Sequence, residues 1–234
     1  MIKIEKVKTY GWEEAIRGMR NPLNSWDKSD SRKLDSKGYL VGEIVVDDYV
    51  IGNNDKTLMM KLRNAGTDHR KFMRMICVYA DITAPLYYFK ELDTYKVGTV
   101  ANSCSTMHKI HAKEFTIDDF SHEHLLDDGY ITHGGDCYLS SMNCLKEQIH
   151  TLNMFREKYL ETKDKTWWWQ MIQLLPSSYN QKRTIMLNYE VLANIYKSRK
   201  NHKLDEWRDF CKWIEALPFN ELITGGINVQ KEED

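Results

Sequence analysis

"LPSSYNQKRTIMLNYEVLANIYKSRKNHKLDEWRDF", residues 175–210, is the stretch on which the reading of the fold turns. Taken at helical period, Asn188, Leu192, Ile195 and Arg199 recur at +4, +7 and +11, one face with an amide at one end and a guanidinium at the other. That spacing predicts a helix over 180–199, followed by another over 204–216. A polar group that interrupts an apolar stripe needs a partner. For Arg199 the partner is either an acidic neighbour in the chain or a ligand.

Upstream of this stretch, 137–162 and 164–174 also have helical spacing, so the chain reads as helical almost throughout from Cys137 onward. The first third reads differently. "IKIEKVKT" (2–9) alternates as an edge strand does, and "FMRMICVYADI" (72–82) is the strongest strand pattern in the sequence. "YLVGEIVVDDYVIG" (39–52) reads as a strand pair. "WEEAIRGMR" has helical spacing, as does "DKTLMMKLRNAG" (55–66), with an Asp cap and a closing Gly. Pro85 opens a short helix, "PLYYFKELDTY", and 110–136 carries the turn signals "DDG" and "HGGD". Strands early and helices late predict an α+β fold: an antiparallel sheet with helices packed on it, a helical C-terminal half, and one domain over 1–234.

The totals narrow the function. With 33 basic against 34 acidic residues there is no global field to draw the protein to nucleic acid or to an anionic membrane, so neither is expected as a partner. No segment approaches the roughly 18 apolar residues of a membrane span, and "MIKIEKVKTYGWEEA" lacks an apolar run of signal length, so a cytoplasmic location is expected. Five cysteines without CxxC spacing read as reduced thiols. His108, His111, His122, His124 and His133 cluster without Asp or Cys at a familiar spacing, so no metal is expected. GxGxxG, GxxxxGK[ST] and GxSxG are all missing. The three indoles of Trp167–Trp169 sit about 100° apart on a helix and cannot share one face. They read as core plus subunit interface rather than a base-stacking platform, because the flanking sequence is not basic.

Residues 95–109, "YKVGTVANSCSTMHK", are unusual in a chain that is 29% charged, because 97–107 carry no charge. Backbone N–H groups and the hydroxyls of Thr99, Ser103, Ser105 and Thr106 suit an anion. They equally suit a tight turn whose hydroxyls cap a helix.

At these two stretches the sequence resembles the flavin-dependent thymidylate synthases. That family has the signature RHRxxSxNExSxR shortly after an "AP" that ends a strand. Here Pro85 matches the proline, Tyr95 and Lys96 match the His and second Arg, and Thr99 matches the first Ser. After one inserted residue, Asn102, Ser103 and Ser105 fall on the Asn, Glu and second Ser. Downstream, Pro176, Asn188, Asn194 and Arg199 keep the family spacing without a gap, and "DEW" (205–207) follows one residue late. His69 falls on a family histidine, and "NPLNSWDKSDS" resembles the segment that carries a flavin-contacting Ser, here Ser25. An insertion is expected near 33–53 and a loose tail at 225–234.

The resemblance implies a thymidylate synthase-complementing protein-like fold. It further implies a homotetramer that binds FAD and dUMP, with NADPH and methylenetetrahydrofolate as co-substrates, and that methylates dUMP to dTMP. Ser25, Tyr95, Lys96, Asn188, Asn194 and His202 fall on flavin-binding positions. Glu91, Ser103, Cys104, Ser105 and Arg199 fall on nucleotide-binding positions, with Ser105 and Arg199 implied in catalysis. Asn194 lies about 120° around the helix from Asn188, so using both asparagines requires two ligand-facing sides. The chain departs from the signature at Thr94, Ser103 and Met107, and Ile172 replaces a further Arg, so three cationic groups are gone. The departures leave room for a different pyrimidine nucleotide, for a homologue that binds without methylating, and for an oligomer without ligands.

Overall fold

The computed structural model describes residues 2–35, 38 and 44–225. In chain order the strands and helices are β1 (Lys3–Tyr10), α1 (Trp12–Arg20), β2 (Arg32–Lys33), β3 (Ile44–Val46), β4 (Tyr49–Ile51), α2 (Asn53–Asn64), β5 (Cys77–Pro85), α3 (Leu86–Leu92), β6 (Thr99–Ser103), α4 (Thr106–Lys109), β7 (Tyr130–His133), β8 (Asp136–Leu139), α5 (Ser141–Thr162), α6 (Lys165–Leu174), β9 (Asn180–Asn188), α7 (Tyr189–Arg199), α8 (Asp205–Glu215) and α9 (Glu221–Thr224). A four-stranded sheet runs in the order β1-β5-β9-β6, with β1 at one edge as its alternation predicts. The fold is α+β, an antiparallel sheet with helices packed on it and a mainly helical C-terminal half.

The expected helix over 180–199 is two elements. Residues 180–188 form β9, in the interior of the sheet, and only 189–199 are helical. Ile185 and Leu187 are sealed in the core with the half-buried Met186 between them, a period-2 pattern that an interior strand requires. The sheet slot overrides the local helical spacing. Residues 95–109, expected as a loop, contain β6 and the single turn α4. The expected helix from Cys137 starts at Ser141, because Asp136–Leu139 pair with Tyr130–His133 in a hairpin. The strand expected over 72–82 is β5, Cys77–Pro85, because Lys71–Arg74 form a 3-10 turn; Pro85 closes the strand and the short helix begins at Leu86.

The described part of the expected 39–52 strand pair is the β3–β4 hairpin, with β2 paired to β4. Residues 36–37 and 39–43 of the expected insertion, and 226–234 of the expected loose tail, lie outside the described residues.

The chain divides into two compact units. The first comprises 83–92 and 103–183 with the N-terminal residues 2–3; α5 packs on α6 there, around Ile110, Phe115, Phe120, Leu145, Leu152 and Met171. Its segment 177–180 is laced in place: Leu86 and Tyr87 N–H donate to the carbonyls of Tyr179 and Ser177 at 3.0 and 3.1 Å, and Ser121 N–H donates to Ser178 O at 2.8 Å.

The second unit comprises the rest of the described residues, and its helices α7, α8 and α9 pack on one another. Trp12, fully buried, meets Tyr189 edge-on at 5.3 Å and Phe219 at 5.4 Å. Asp55 on α2 is wholly buried and accepts from Arg20 Nε (2.6 Å), Ser29 Oγ (2.6 Å) and Ser31 Oγ (2.7 Å). Arg20 also donates to the carbonyls of Ser25 and Lys28, both at 3.0 Å, so this one ion pair pins the whole 25–31 segment.

Candidate functional site

In the second unit, α7 begins where β9 ends, and Asn188 makes the junction. Its Oδ1 accepts from Val191 N–H at 2.9 Å, a helix cap. The amide nitrogen of the same side chain lies against Gly98. A Cβ built on Gly98 would stand 2.2 Å from it, and Gly98 has φ +78°. Glycine is required there for two reasons, backbone conformation and close approach.

At the other end of α7, Arg199 Nε donates to the Tyr95 hydroxyl at 3.0 Å. Its guanidinium lies 4.8 Å from the Trp207 ring centroid and 5.8 Å from that of Tyr95. Trp207 is fully buried and meets both Tyr95 (6.0 Å) and His202 (6.3 Å) edge-on. His202 Nδ1 accepts from Leu204 N–H at 3.2 Å, which leaves the proton on Nε2. The result is a cationic and aromatic cluster with an oriented guanidinium plane. Within this cluster a phenol and an indole hold Arg199.

Between these two ends, Leu192 and Ile195 are sealed in the core, while Asn194 is exposed on the opposite side of α7. Lys96 is exposed. Ser25 is half-buried, its carbonyl held by Arg20.

In the first unit, the end of β6 leads into α4. Ser103 and Cys104 are exposed, and Glu91 is half-buried on α3. Cys104 N–H donates to Lys182 O at 2.8 Å, and Gln181 Nε2 donates to Cys104 O at 2.8 Å. Arg183 Nε fixes Gln181 Oε1 at 2.9 Å and stacks 4.0 Å over Phe89. Ser105 caps α4, accepting from Met107 N–H (3.2 Å) and His108 N–H (3.1 Å). These amides are therefore spent within the chain, and the hydroxyl at Ser105 does the capping.

Cys104 and Ser105 line a cleft of about 390 Å³ together with Thr83, Thr106, Tyr179 and Asn180. Lys109, Lys113 and Lys182 supply its positive charge, against Asp118 and Asp119. Burial raises the Tyr179 pKa, reinforced by Asp119 and Cys104, so its hydroxyl stays a proton donor. The Oδ1 of Asn180 is sealed from water without a hydrogen-bond partner, while its Nδ2 donates to Asp118 O at 3.3 Å. The cleft thus offers hydroxyl donors and ammonium groups, with Lys113 paired to Asp119, a set suited to a polar ring with a charged substituent.

The sequence did not single out Trp207 as the platform under Arg199, nor the lysines of the cleft. The indole two residues past "KLD" carries a usable signal, because it sits on the buried face of a strongly amphipathic helix. The lysines lie 5 to 78 residues from Cys104 in the chain and share only a place in the fold. Among the described residues no group of His, Cys, Asp and Glu is arranged to hold a metal ion, and no helix is long and apolar enough to cross a membrane.

No protein-family model matches the sequence. No curated protein matches it either. Solved structures do match in fold. Thymidylate synthase X from Helicobacter pylori, solved with FAD and dUMP, superposes with a TM-score of 0.64 at 16% identity, over 96% of this chain and 98% of that one. The UMP/dUMP methylase PolB from Streptomyces cacaoi, bound with 5-Br UMP, superposes with a TM-score of 0.59 at 13% identity, over 96% and 95%. The same protein bound with 5-Br dUMP gives 0.56 at 13% identity, over the same shares. Over nearly its full length, this chain has the fold of a flavin-dependent thymidylate synthase and of a pyrimidine-nucleotide methylase.

Proposed function

We propose that the protein is a flavin-dependent enzyme that methylates a pyrimidine nucleotide, with dUMP as substrate and dTMP as product. The observation that carries this reading is the Arg199–Tyr95 pair over Trp207. It stands at the positions where the sequence resembles the flavin- and nucleotide-binding residues of the thymidylate synthases, in a fold shared with one solved with FAD and dUMP.

The residues fit a flavin. An isoalloxazine is a planar ring with carbonyl acceptors along one edge, and the second unit offers it the Tyr95 ring, set by Trp207 and the Arg199 bond, and the exposed ammonium of Lys96. The Gly98–Asn188 approach leaves no room for a side chain at 98 and keeps the backbone of this segment close to α7. Tyr95, Lys96, Asn188, Asn194, His202 and Ser25 would hold FAD, which when bound supplies the redox chemistry of the transfer. NADPH and methylenetetrahydrofolate are the proposed co-substrates.

The chain's own residues bind and orient the nucleotide. In the second unit, Arg199 is proposed to supply fixed positive charge to a nucleotide; in the first, Glu91, Ser103, Cys104 and Ser105 are proposed to line a nucleotide's approach. Lys109 and Lys182 are proposed to replace positive charge missing at Met107 and Ile172, while Lys113 is paired with Asp119. A homotetramer is proposed as the working form. Val100, 62% exposed on the edge strand β6, supports burial of this edge against another copy.

A second reading, in which the nucleotide is UMP rather than dUMP, is favoured by the hydroxyl-rich cleft wall of Thr83, Ser105, Thr106 and Tyr179. Those groups can hydrogen-bond a ribose 2′-OH. The test is turnover with FAD, NADPH and methylenetetrahydrofolate against dUMP and UMP in parallel. Methylated product from dUMP supports the first reading, product from UMP alone supports the second, and product from neither contradicts both.

A further inference from the structure

A second cleft in the first unit, about 490 Å³, shares no residue with the Cys104 cleft. Its walls are Trp168, Trp169, Tyr159, His108 and His111, and Lys165 also lines it. The aromatic groups are fixed. Trp168 Nε1 donates to Met107 O at 3.1 Å, the Trp168 and Trp169 rings meet edge-to-face at 4.8 Å, and His111 meets Tyr159 edge-to-face at 4.9 Å. Trp167 takes no part and stacks on Phe155 at 5.9 Å. Trp169 remains 48% exposed, a large apolar surface to leave in water on a fixed wall.

Three features separate this cleft from a bare apolar face. No carboxylate is among its lining residues. Arg156 Nε donates to His111 O at 3.1 Å, and Lys163 Nζ lies 5.9 Å over the Tyr159 ring, so cations gather around it from α4, α5 and α6. Burial, with Lys109, Lys163 and Arg156 adding to it, lowers the His111 pKa and keeps the imidazole neutral, and its Nδ1 is sealed without a partner. The sequence flanking the indoles is not basic, but the fold brings Lys109 and Arg156 from distant segments to the surroundings of His111.

We infer that this cleft binds a planar heteroaromatic ring bearing an anionic substituent, phosphate or carboxylate. The rings supply stacking surface and Lys165 supplies the counter-charge, with Lys163 and Arg156 adding positive potential from the cleft's surroundings. The volume lies within the range of small-molecule pockets. The inference goes beyond the methylation reading and stands without it.

The test uses the quenching of tryptophan fluorescence, with AMP as the phosphate-bearing probe, 2-naphthoate as the carboxylate-bearing probe and adenosine as the uncharged control. Saturable binding of AMP or of 2-naphthoate is expected, and whichever binds tighter identifies the anion. Adenosine should bind at least about tenfold more weakly, and Trp169→Ala should weaken the anionic probe by about tenfold, the loss of one stacked ring. Lys165→Gln should weaken it by a few-fold and flatten its salt dependence, and Arg199→Ala should leave it unchanged. Absence of saturable binding, equal binding of adenosine, or indifference to Trp169→Ala would overturn the inference. So would quenching that tracks protein self-association alone, which would assign the indoles to a second copy of the chain.

Discussion

Arg199 and Tyr95, 104 positions apart in the chain, are joined by a 3.0 Å hydrogen bond from guanidinium to phenol, with Trp207 beneath the guanidinium. The bond ties the end of α7 to the segment that leads into β6. It uses one N–H and fixes the plane of the others, so a lysine at 199 keeps the charge and loses the orientation.

Arg199→Ala is expected to weaken dUMP binding by about ten- to a hundredfold, the range for one charge-assisted hydrogen bond, while FAD binding changes far less. Arg199→Lys should recover only part of the loss. Calorimetric titration with each ligand checks this, and equal loss of both ligands would contradict the nucleotide role of Arg199.

Gly98→Ala places a methyl 2.2 Å from the Asn188 amide nitrogen at φ +78°. Strain and displacement together should lower stability by about 2 kcal/mol, roughly 4–8 °C in Tm for a chain of this size. An unshifted thermal midpoint would show that 98 and 188 are not packed together.

Asn188 has two jobs that substitution separates. Asn188→Ala loses the cap on α7 and should cost about 1 kcal/mol. Asn188→Asp keeps an acceptor for Val191 N–H and should retain stability, yet it loses the amide N–H and should retain less FAD. Flavin content measured beside the denaturation midpoint distinguishes the two effects.

The Asp55 carboxyl is raised by burial, but hydrogen bonds from Ser29, Ser31 and Arg20 and the charge of Arg20 outweigh this and bring its pKa below the ordinary value. A depressed folded pKa contributes stability that is present above the unfolded value, about 3.9, and is lost as pH falls through the folded value. Asp55→Asn leaves Arg20 buried without its counter-charge and should cost about 3–5 kcal/mol at pH 7. The gap to the parent protein should narrow once the parent's own carboxylate is protonated. Urea midpoints across the acid range check this, and a gap constant with pH would contradict it.

Much of the fold was legible, and the exceptions have physical causes. β1 and β5 announced themselves by alternation and by β-branched content, and α1 by its amphipathic spacing. β9 did not, because "NQKRTIMLN" mixes charged and apolar residues in a way that also fits a helix, and only its place between β5 and β6 decides the matter. The signals for the true start of α7 were in the sequence: Asn188 as cap and Glu190 in the first turn. At the candidate site, the spacing of Asn188, Asn194 and Arg199 was visible because one helix and its cap set it. The cluster of Tyr95, Arg199 and Trp207 was not, since three separate segments build it. Lys109, Lys113 and Lys182 were hidden for the same reason.

The most direct measurement of the central claim is the visible absorbance of the purified protein after incubation with FAD and gel filtration. A flavin spectrum that travels with the protein, and that diminishes in Asn188→Asp at unchanged stability, is the result expected. Colourless protein that retains no FAD while correctly folded would contradict the account.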